Sequence, residues 1–275
     1  MSIVSIAIQK GGSGKTTTAV NLPAALLRLG KRILLVDADP QVNLSQSLGI
    51  RETPERNLYT EWKKEMEGGG GQSVAEQQES LRHTVLHTAS GLDLLPGSPA
   101  LAETETELVS AEEGESLLSD LLQPIVTDYD FVFIDCPSAL GMLTRSALVA
   151  SRYVLMPLQA EFLPLNGARR AMDFLSGDIA AIRSRRNATI DVLGFVFNRY
   201  DDRRTINRRM CHELEEEYPE KVFRTRIRTN IQLSKAQEAG LDIFSLAPRS
   251  NGAVDYAALA KEFLSKLKNG HHENI

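Results

Sequence analysis

The chain has few cysteines: only Cys136 and Cys211 occur among its 275 residues, far apart in the sequence. Neither has the Cys-x-x-Cys or histidine-paired spacing of a metal site, so neither a metal nor a disulfide role is expected. A reductase that bridges two subunits with an iron–sulfur cluster would need cluster cysteines, which this pattern does not provide. We expect Cys136 to pack behind the strand that ends at Asp135.

The chain also lacks an apolar stretch of membrane-spanning length, although 42% of its residues are hydrophobic. Its first residues run straight into a strand-like segment, without the basic, apolar and cleavage-site pattern of a signal peptide. The size and the 24% of charged residues are typical of one large α/β domain. We therefore expect a cytoplasmic protein with no membrane partner.

Short apolar runs alternate with helical patterns along the chain. This alternation predicts βαβ crossovers and therefore an α/β fold, with a mostly parallel twisted sheet and helices on both faces. We expect a single domain that covers residues 1–275. Helices are predicted to begin at Thr16 and near Gly141, Leu165, Arg204 and Val254. The predicted strands are Ile3–Ile8, Ile33–Asp37, Leu92–Leu95, Phe131–Asp135, Tyr153–Met156 and Val192–Phe197.

One segment of this domain is strongly acidic. Between Arg51 and Asp120, fifteen acidic residues stand against five basic ones, with a run of glycines from Gly68 to Gly71. Such a composition favours solvent exposure and flexibility. We therefore predict that this stretch is a solvated, partly flexible insertion. Residues from about 51 to 90 are its variable, acidic, glycine-containing part.

A glycine-rich loop follows the first predicted strand, where residues 10–17 read K-G-G-S-G-K-T-T. Glycines allow backbone N–H groups to surround phosphate oxygens, and the following helix presents its positive end to the same anion. Lys15 would reach the β- and γ-phosphates, and the Thr16 hydroxyl would bind Mg²⁺. This loop predicts a nucleoside triphosphate site with contacts from Gly11, Gly12, Ser13, Gly14, Lys15, Thr16 and Thr17.

The loop is a variant, because Gln9 stands where the common Walker A pattern has glycine. It adds Lys10 at the start of the turn, where a lysine cannot easily bend back onto phosphates held by its own loop. We expect Lys10 to reach the nucleotide of a facing subunit. A solvated charge is the alternative.

Carboxylates end two of the predicted strands, at Asp37 and Asp135, and Asp39 follows on a loop. Ligands of open α/β sheets bind at the carboxyl ends of the strands. Mg²⁺ prefers oxygen ligands and keeps several waters, so we predict that Asp135 and Asp37 hold its hydration shell. Each aspartate alone is also typical of a turn or a helix cap.

These motifs resemble those of the ParA/MinD family of deviant Walker A ATPases. Besides the K-G-G-x-G-K-[ST] loop, residues 33–41 resemble the second box of that family and residues 131–137 resemble its Walker B strand. Residues 154–159 and 247–253 resemble later ParA segments. The resemblance covers nearly the whole chain except residues from about 51 to 90.

The resemblance implies an ATPase with ATP and Mg²⁺ as cofactors, in which Lys10, Lys15 and Asp39 are catalytic. Asp39 would position the attacking water, and Asn198 would lie near the adenine, although an asparagine at a strand end is equally typical of a turn. It further implies an ATP-bound homodimer that binds DNA nonspecifically and is stimulated by a ParB-type partner. No DNA-reading segment precedes the loop, so the sequence resembles the short, Soj-like form of ParA proteins. The expected location is the cytoplasm, in association with the nucleoid.

Basic residues are concentrated late in the chain, although the net charge is −5: residues 183–228 contain eleven arginines and one lysine. The spacing of Arg204 and Arg208 suits one helix face, and in an extended segment the side chains of Arg224, Arg226 and Arg228 would point the same way. A stripe of arginines of this kind favours contacts with the phosphate backbone of DNA, which do not depend on the base sequence. A solvated face balanced by nearby glutamates is the alternative. The predicted DNA contacts are Arg203, which matches a family position, with Arg204, Arg226 and Arg228.

Two alternatives within the family remain open. A MinD-like membrane-cycling ATPase would need an amphipathic C-terminal anchor, and Leu259, Phe263 and Leu267 have the required spacing. The same spacing is typical of a last helix that packs on the core, which we favour. A relative that positions protein cargo is the second alternative.

Overall fold

The described residues form one seven-stranded, mostly parallel sheet with helices on both faces. The computed structural model describes residues 1–68, 73–110, 114–159 and 174–270. The strand order is β3-β4-β2-β5-β1-β6-β7, and all neighbours are parallel except β3 and β4. The predicted fold class is confirmed. The strands are β1 Ser2–Ile6, β2 Ile33–Asp37, β3 Leu86–His87, β4 Asp93–Leu95, β5 Phe131–Asp135, β6 Tyr153–Gln159 and β7 Asp191–Asn198.

Helices connect most of these strands. The predicted helix starts at Thr16 and near Gly141, Arg204 and Val254 are confirmed to within a few residues, whereas the start near Leu165 lies outside the described residues. A 3-10 turn covers Val126–Asp128 and a π-helical segment covers Phe174–Ile179. The helices are α1 Lys15–Arg28, α2 Asn43–Ser47, α3 Leu58–Gly68, α4 Val74–Thr84, α5 Leu101–Ser110, α6 Leu117–Leu122, α7 Met142–Ala150, α8 Ala180–Arg185, α9 Thr205–Glu217, α10 Ile231–Ala239, α11 Ile243–Leu246 and α12 Asn251–Gly270.

The central strands are apolar throughout because both faces of the sheet are covered. In β2, Leu34 and Val36 join the core layer on the side of α3 to α9, whereas Ile33 and Leu35 join the layer beneath α1 and α12. The parallel register places Asp37 of β2 directly opposite Asp135 of β5. The carboxyl ends of β1, β2 and β5 therefore meet at one edge of the sheet.

The acidic segment is more ordered than its composition predicts. Its helices α3 and α4 pack on the core through Leu58, Trp62 and Leu81, each at most 1% exposed. Leu58, Trp62 and Met66 are four residues apart and share one helix face, so the acidic residues can occupy the others. The prediction that this segment is solvated was wrong for the buried face of these helices. Residues 69–72, in the glycine-rich turn, lie outside the described residues.

The last helix packs on the core, as favoured from its sequence. Leu259 and Phe263 of α12 are fully buried, and the Phe263 ring lies 5.5 Å from that of Phe131 and 5.7 Å from that of Phe133. Within the described ranges, no helix is both long and apolar enough to cross a bilayer.

Candidate nucleotide site

The glycine-rich loop connects β1 to α1 at the edge where the strands end. Gly12 and Gly14 have left-handed backbones, with φ of +70° and +93°. A Cβ on Gly14 would lie 2.4 Å from Asn198 Nδ2. Both the left-handed backbone conformation and the lack of room for a side chain therefore require glycine at position 14. Gly14 is the N-cap of α1 and gives that helix no side-chain cap. The first amide groups of α1 are thus available to an anion.

Lys15 is held within this loop. Its side chain is buried, and Nζ donates to the Lys10 carbonyl at 3.1 Å and to Ser138 Oγ at 2.8 Å. Burial lowers the pKa of Lys15, an effect opposed by the nearby Asp135 carboxylate. An ammonium has three N–H donors, so one remains for a phosphate oxygen.

The residues predicted to hold Mg²⁺ lie together. Thr16 Oγ1 donates to Asp135 Oδ2 at 2.8 Å. Asp135 is fully buried, and its Oδ1 atom has no hydrogen-bond partner among the described residues. Burial raises the pKa of Asp135 well above its ordinary value, and the charge of Asp37 adds to the effect. A hydroxyl beside a buried carboxylate oxygen without a partner fits the oxygen-ligand chemistry of Mg²⁺.

Asp37 and Asp39 have different surroundings. Asp37 Oδ2 accepts hydrogen bonds from the Ser45 N–H at 2.8 Å and from Ser45 Oγ at 2.6 Å, and burial raises its pKa to about 6. This carboxylate therefore also ties α2 to the end of β2. Asp39 is only half-buried and lines the cavity, with Oδ1 accepting from the Gln41 N–H at 2.9 Å.

A cavity of about 520 Å³ extends from the loop across this edge. Asn198 lines it, and its Nδ2 donates to the Ser13 carbonyl at 3.1 Å and to Thr18 Oγ1 at 3.3 Å. Its buried Oδ1 has no partner among the described residues. Asn198 thus supports the loop and leaves one acceptor for a ligand. The far wall comprises Ile227, Arg228, Thr229, Asn230, Ile231, Leu233, Ser234, Gln237 and Tyr256.

Lys10 occupies the outer end of the loop. Its Nζ atom is enclosed but has no hydrogen-bond partner among the described residues, and burial lowers its pKa. The neighbouring Gly11 is exposed, and a Cβ added there would meet no atom within 4 Å. Within the described residues, Lys10 therefore has an enclosed ammonium without an anion, beside the exposed Gly11.

The predicted DNA-binding arginines do not form one stripe. Arg226 lies on the Tyr200 ring, 4.7 Å from its centroid, and pairs with Glu215 of α9 at 2.9 Å. Arg228 instead pairs with Asp255 of α12 at 2.6 Å. Because α9 and α12 cover opposite faces of the sheet, the prediction that Arg226 and Arg228 point the same way was wrong.

The other two arginines lie near the start of α9. Arg203 is 89% exposed and pairs with Asp201 at 2.9 Å. Arg204 is the extended N-cap residue of α9, and its carbonyl accepts a hydrogen bond from the Arg208 N–H at 3.3 Å.

Sequence reasoning missed two features of the site. Ser138, which contacts Lys15, was not singled out. Residues 227–231, 233 and 234 line the nucleotide cavity, whereas the sequence analysis assigned a role only to Arg228 among them, in DNA binding. Asn230, whose side chain accepts from the Gln232 N–H at the start of α10, was the available signal for a helix there.

The cysteines have no place in this chemistry. Both are buried free thiols, and Cys136 belongs to the core beside β5, as predicted. Burial raises the pKa of Cys136 to about 12, so its thiol stays protonated. The described part of the chain contains no cluster of three or more histidine, cysteine or acidic residues arranged for a metal ion.

Comparison with known proteins gives the family of the chain. A family model described as an AAA domain matches residues 1–192. The chain is 35% identical to the sporulation initiation inhibitor protein Soj of Bacillus subtilis, over 94% of this chain and 97% of that protein. It is 37% identical to the chromosome-partitioning ATPase Soj of Thermus thermophilus, over 96% of each chain.

Comparison with solved structures finds proteins of the same fold. Cobyrinic acid a,c-diamide synthase of Mycobacterium smegmatis, with bound ATP analogue and magnesium, superposes with a TM-score of 0.77 at 30% identity, over 98% of this chain and 97% of that one. The cell division ATPase MinD of Pyrococcus furiosus, at 24% identity over 97% of this chain and 99% of that one and with a TM-score of 0.71, shares the fold. The chain therefore belongs to the AAA domain family and is a P-loop ATPase of the Soj/ParA type.

Proposed function

We propose that this ATPase forms an ATP-bound sandwich dimer that binds DNA nonspecifically and is released when ATP is hydrolysed. In this cycle it segregates a chromosome or plasmid in the cytoplasm, on the nucleoid, and a ParB-type centromere-binding partner stimulates hydrolysis. The relatives named for chromosome partitioning support this proposal. We treat residues 1–275 as one functional domain.

The enclosed, unpaired ammonium of Lys10 is the observation that carries the proposal. A buried charge without a partner is costly, so a phosphate placed beside Lys10 would stabilise the charged form. The neighbouring Gly11 is exposed, so a facing subunit could approach this end of the loop, and the Lys10 side chain would have to turn outward to reach its nucleotide. A contact between Lys10 and the partner's nucleotide would exist only in the dimer, and this differential contact would make association depend on ATP.

Within one subunit, we assign roles by position. Lys15 and the loop amides hold the phosphates, and Thr16 with Asp135 holds the magnesium shell, with Asp37 adding negative charge on the neighbouring strand. Asp39, half-buried at the cavity wall, orients the attacking water. The unpaired Oδ1 of Asn198 suits the amino group of adenine.

The DNA surface is proposed around Arg203 and Arg204, with Arg226 and Arg228 as secondary members. The exposure of Arg203 and its position before α9 support a phosphate contact. Arg228 and Arg226 would first have to leave Asp255 and Glu215. A MinD-like anchor is disfavoured, because the apolar residues of α12 are used in the core. Positioning of protein cargo is the remaining alternative.

Sedimentation in ATP tests the dimer. Lys15→Ala should abolish nucleotide binding, because the phosphates lose the only lysine that the loop directs at them. Lys10→Ala should bind nucleotide and stay monomeric, whereas Lys31→Ala, a substitution after α1, should dimerise like the parent. An ATP-dependent dimer formed by the Lys10 variant would overturn the cross-subunit role.

A further inference from the structure

Ser138 lies in the loop between β5 and α7, three residues after Asp135. It lines the nucleotide cavity together with Asp39, and its Oγ atom is 2.8 Å from Lys15 Nζ. The end of the cavity that holds these groups also contains Thr16, the neighbour of Asp135. Ser138 is therefore at the end where the terminal phosphate and magnesium would bind.

The hydrogen bond between Lys15 and Ser138 can have only one direction. A lysine ammonium only donates hydrogen bonds, so Ser138 Oγ must accept the bond from Lys15. The proton of Ser138 is left for another acceptor, and no acceptor in the described part of the chain bonds to it. Lys15 and Ser138 thus present two adjacent donors to the cavity, a cation and a neutral hydroxyl.

The loop that carries Ser138 is fixed at both of its ends. It begins at β5, and it ends where Glu105 of α5 accepts hydrogen bonds from the N–H groups of Met142 at 2.5 Å and Leu143 at 3.1 Å. Thr144 Oγ1 also donates to the Ala139 carbonyl at 2.7 Å. A donor held in place before the ligand arrives loses little freedom on binding.

We propose that the Ser138 hydroxyl donates a hydrogen bond to the terminal phosphate of ATP. This inference rests on ATP binding in the cavity described above, and it adds a substrate contact that distinguishes ATP from ADP. It does not depend on dimerisation or DNA binding. Since ADP lacks the γ-phosphate, the contact favours the triphosphate alone.

The test compares Ser138→Ala with Ser138→Thr, which keeps the hydroxyl. Binding of ADP and of a non-hydrolysable ATP analogue, both with Mg²⁺, is measured by calorimetry. The measurements use the Lys10→Ala background, so that a failure of the proposed dimer contact does not alter the result. Thermal melting checks that each variant is folded.

The alanine variant should bind the ATP analogue about tenfold to a hundredfold more weakly, as expected for a lost hydrogen bond to a charged group, with ADP affinity within about twofold. The threonine variant should restore most of the analogue affinity. Equal losses for both nucleotides, unchanged binding of both, or tighter binding of the analogue would each overturn the proposal. A folded threonine variant that binds like the alanine variant would do the same.

Discussion

Replacing Glu105 by alanine removes the carboxylate that accepts the first amide groups of α7. The N-cap residue Gly141 offers no side-chain acceptor, so Glu105 from α5 is the cap of this helix. Loss of a side-chain cap costs about 0.5–2 kcal/mol, and loss of a negative charge at a helix N-terminus costs about 0.3–1 kcal/mol. We expect a loss of about 2 kcal/mol in the free energy of unfolding. For a chain of this size, that loss lowers the melting temperature by about 4–8 °C.

Differential scanning calorimetry measures this change, and Glu103→Ala is the matched control. Glu103 lies two residues earlier on α5 and accepts only an exposed bond from the Tyr59 hydroxyl at 3.2 Å. Its replacement changes helix propensity by a similar amount and removes an acidic residue from the first turn of α5, so its effect should stay within about 1 kcal/mol. Glu105→Gln keeps one acceptor oxygen and should melt between the parent and Glu105→Ala. Equal melting temperatures for the two alanine variants would refute the capping role.

Two further predictions concern turnover and the acidic segment. Asp39→Ala should bind ATP with Mg²⁺ but hydrolyse it at least about tenfold more slowly, because Thr16 and Asp135 still hold the metal while the attacking water loses its orienting carboxylate. A steady-state phosphate-release assay measures this rate. Hydrolysis at the parental rate would mean that another group orients the water. Trp62→Ala should lower the free energy of unfolding, measured in urea, by about 3–5 kcal/mol, because the fully buried ring packs α3 against the core. A decrease of less than about 1 kcal/mol would mean that the acidic segment contributes little to stability.

The phosphate loop and its acidic neighbours were predictable from the sequence because their geometry is local. A glycine-rich turn after a buried strand places amide groups at the end of a helix, and parallel strands bring Asp37 and Asp135 to one edge. The packing of α3 was not predicted because the prediction for this segment used its net charge and not the spacing of its apolar residues. Leu58 and Trp62 were sufficient to predict a buried face.

Other features depend on contacts between distant parts of the chain. Arg226 and Arg228 alternate in sequence, but the segment that carries them is not a regular strand and pairs with helices on opposite faces of the sheet. The link between Ser138 and Lys15 spans more than a hundred residues. Nothing in the local sequence around Ser138 indicates it.

DNA binding by the Asp39→Ala variant, with ATP or with ADP, tests the central claim most directly. Filter binding at two salt concentrations, with two unrelated duplexes, gives the nucleotide, sequence and salt dependence together. We expect binding in ATP only, equal for both duplexes and falling steeply with salt, since arginine–phosphate contacts release counterions. Arg203→Glu with Arg204→Glu should abolish it. Equal binding in ATP and ADP, or none in either nucleotide, would contradict an ATP-controlled cycle on DNA.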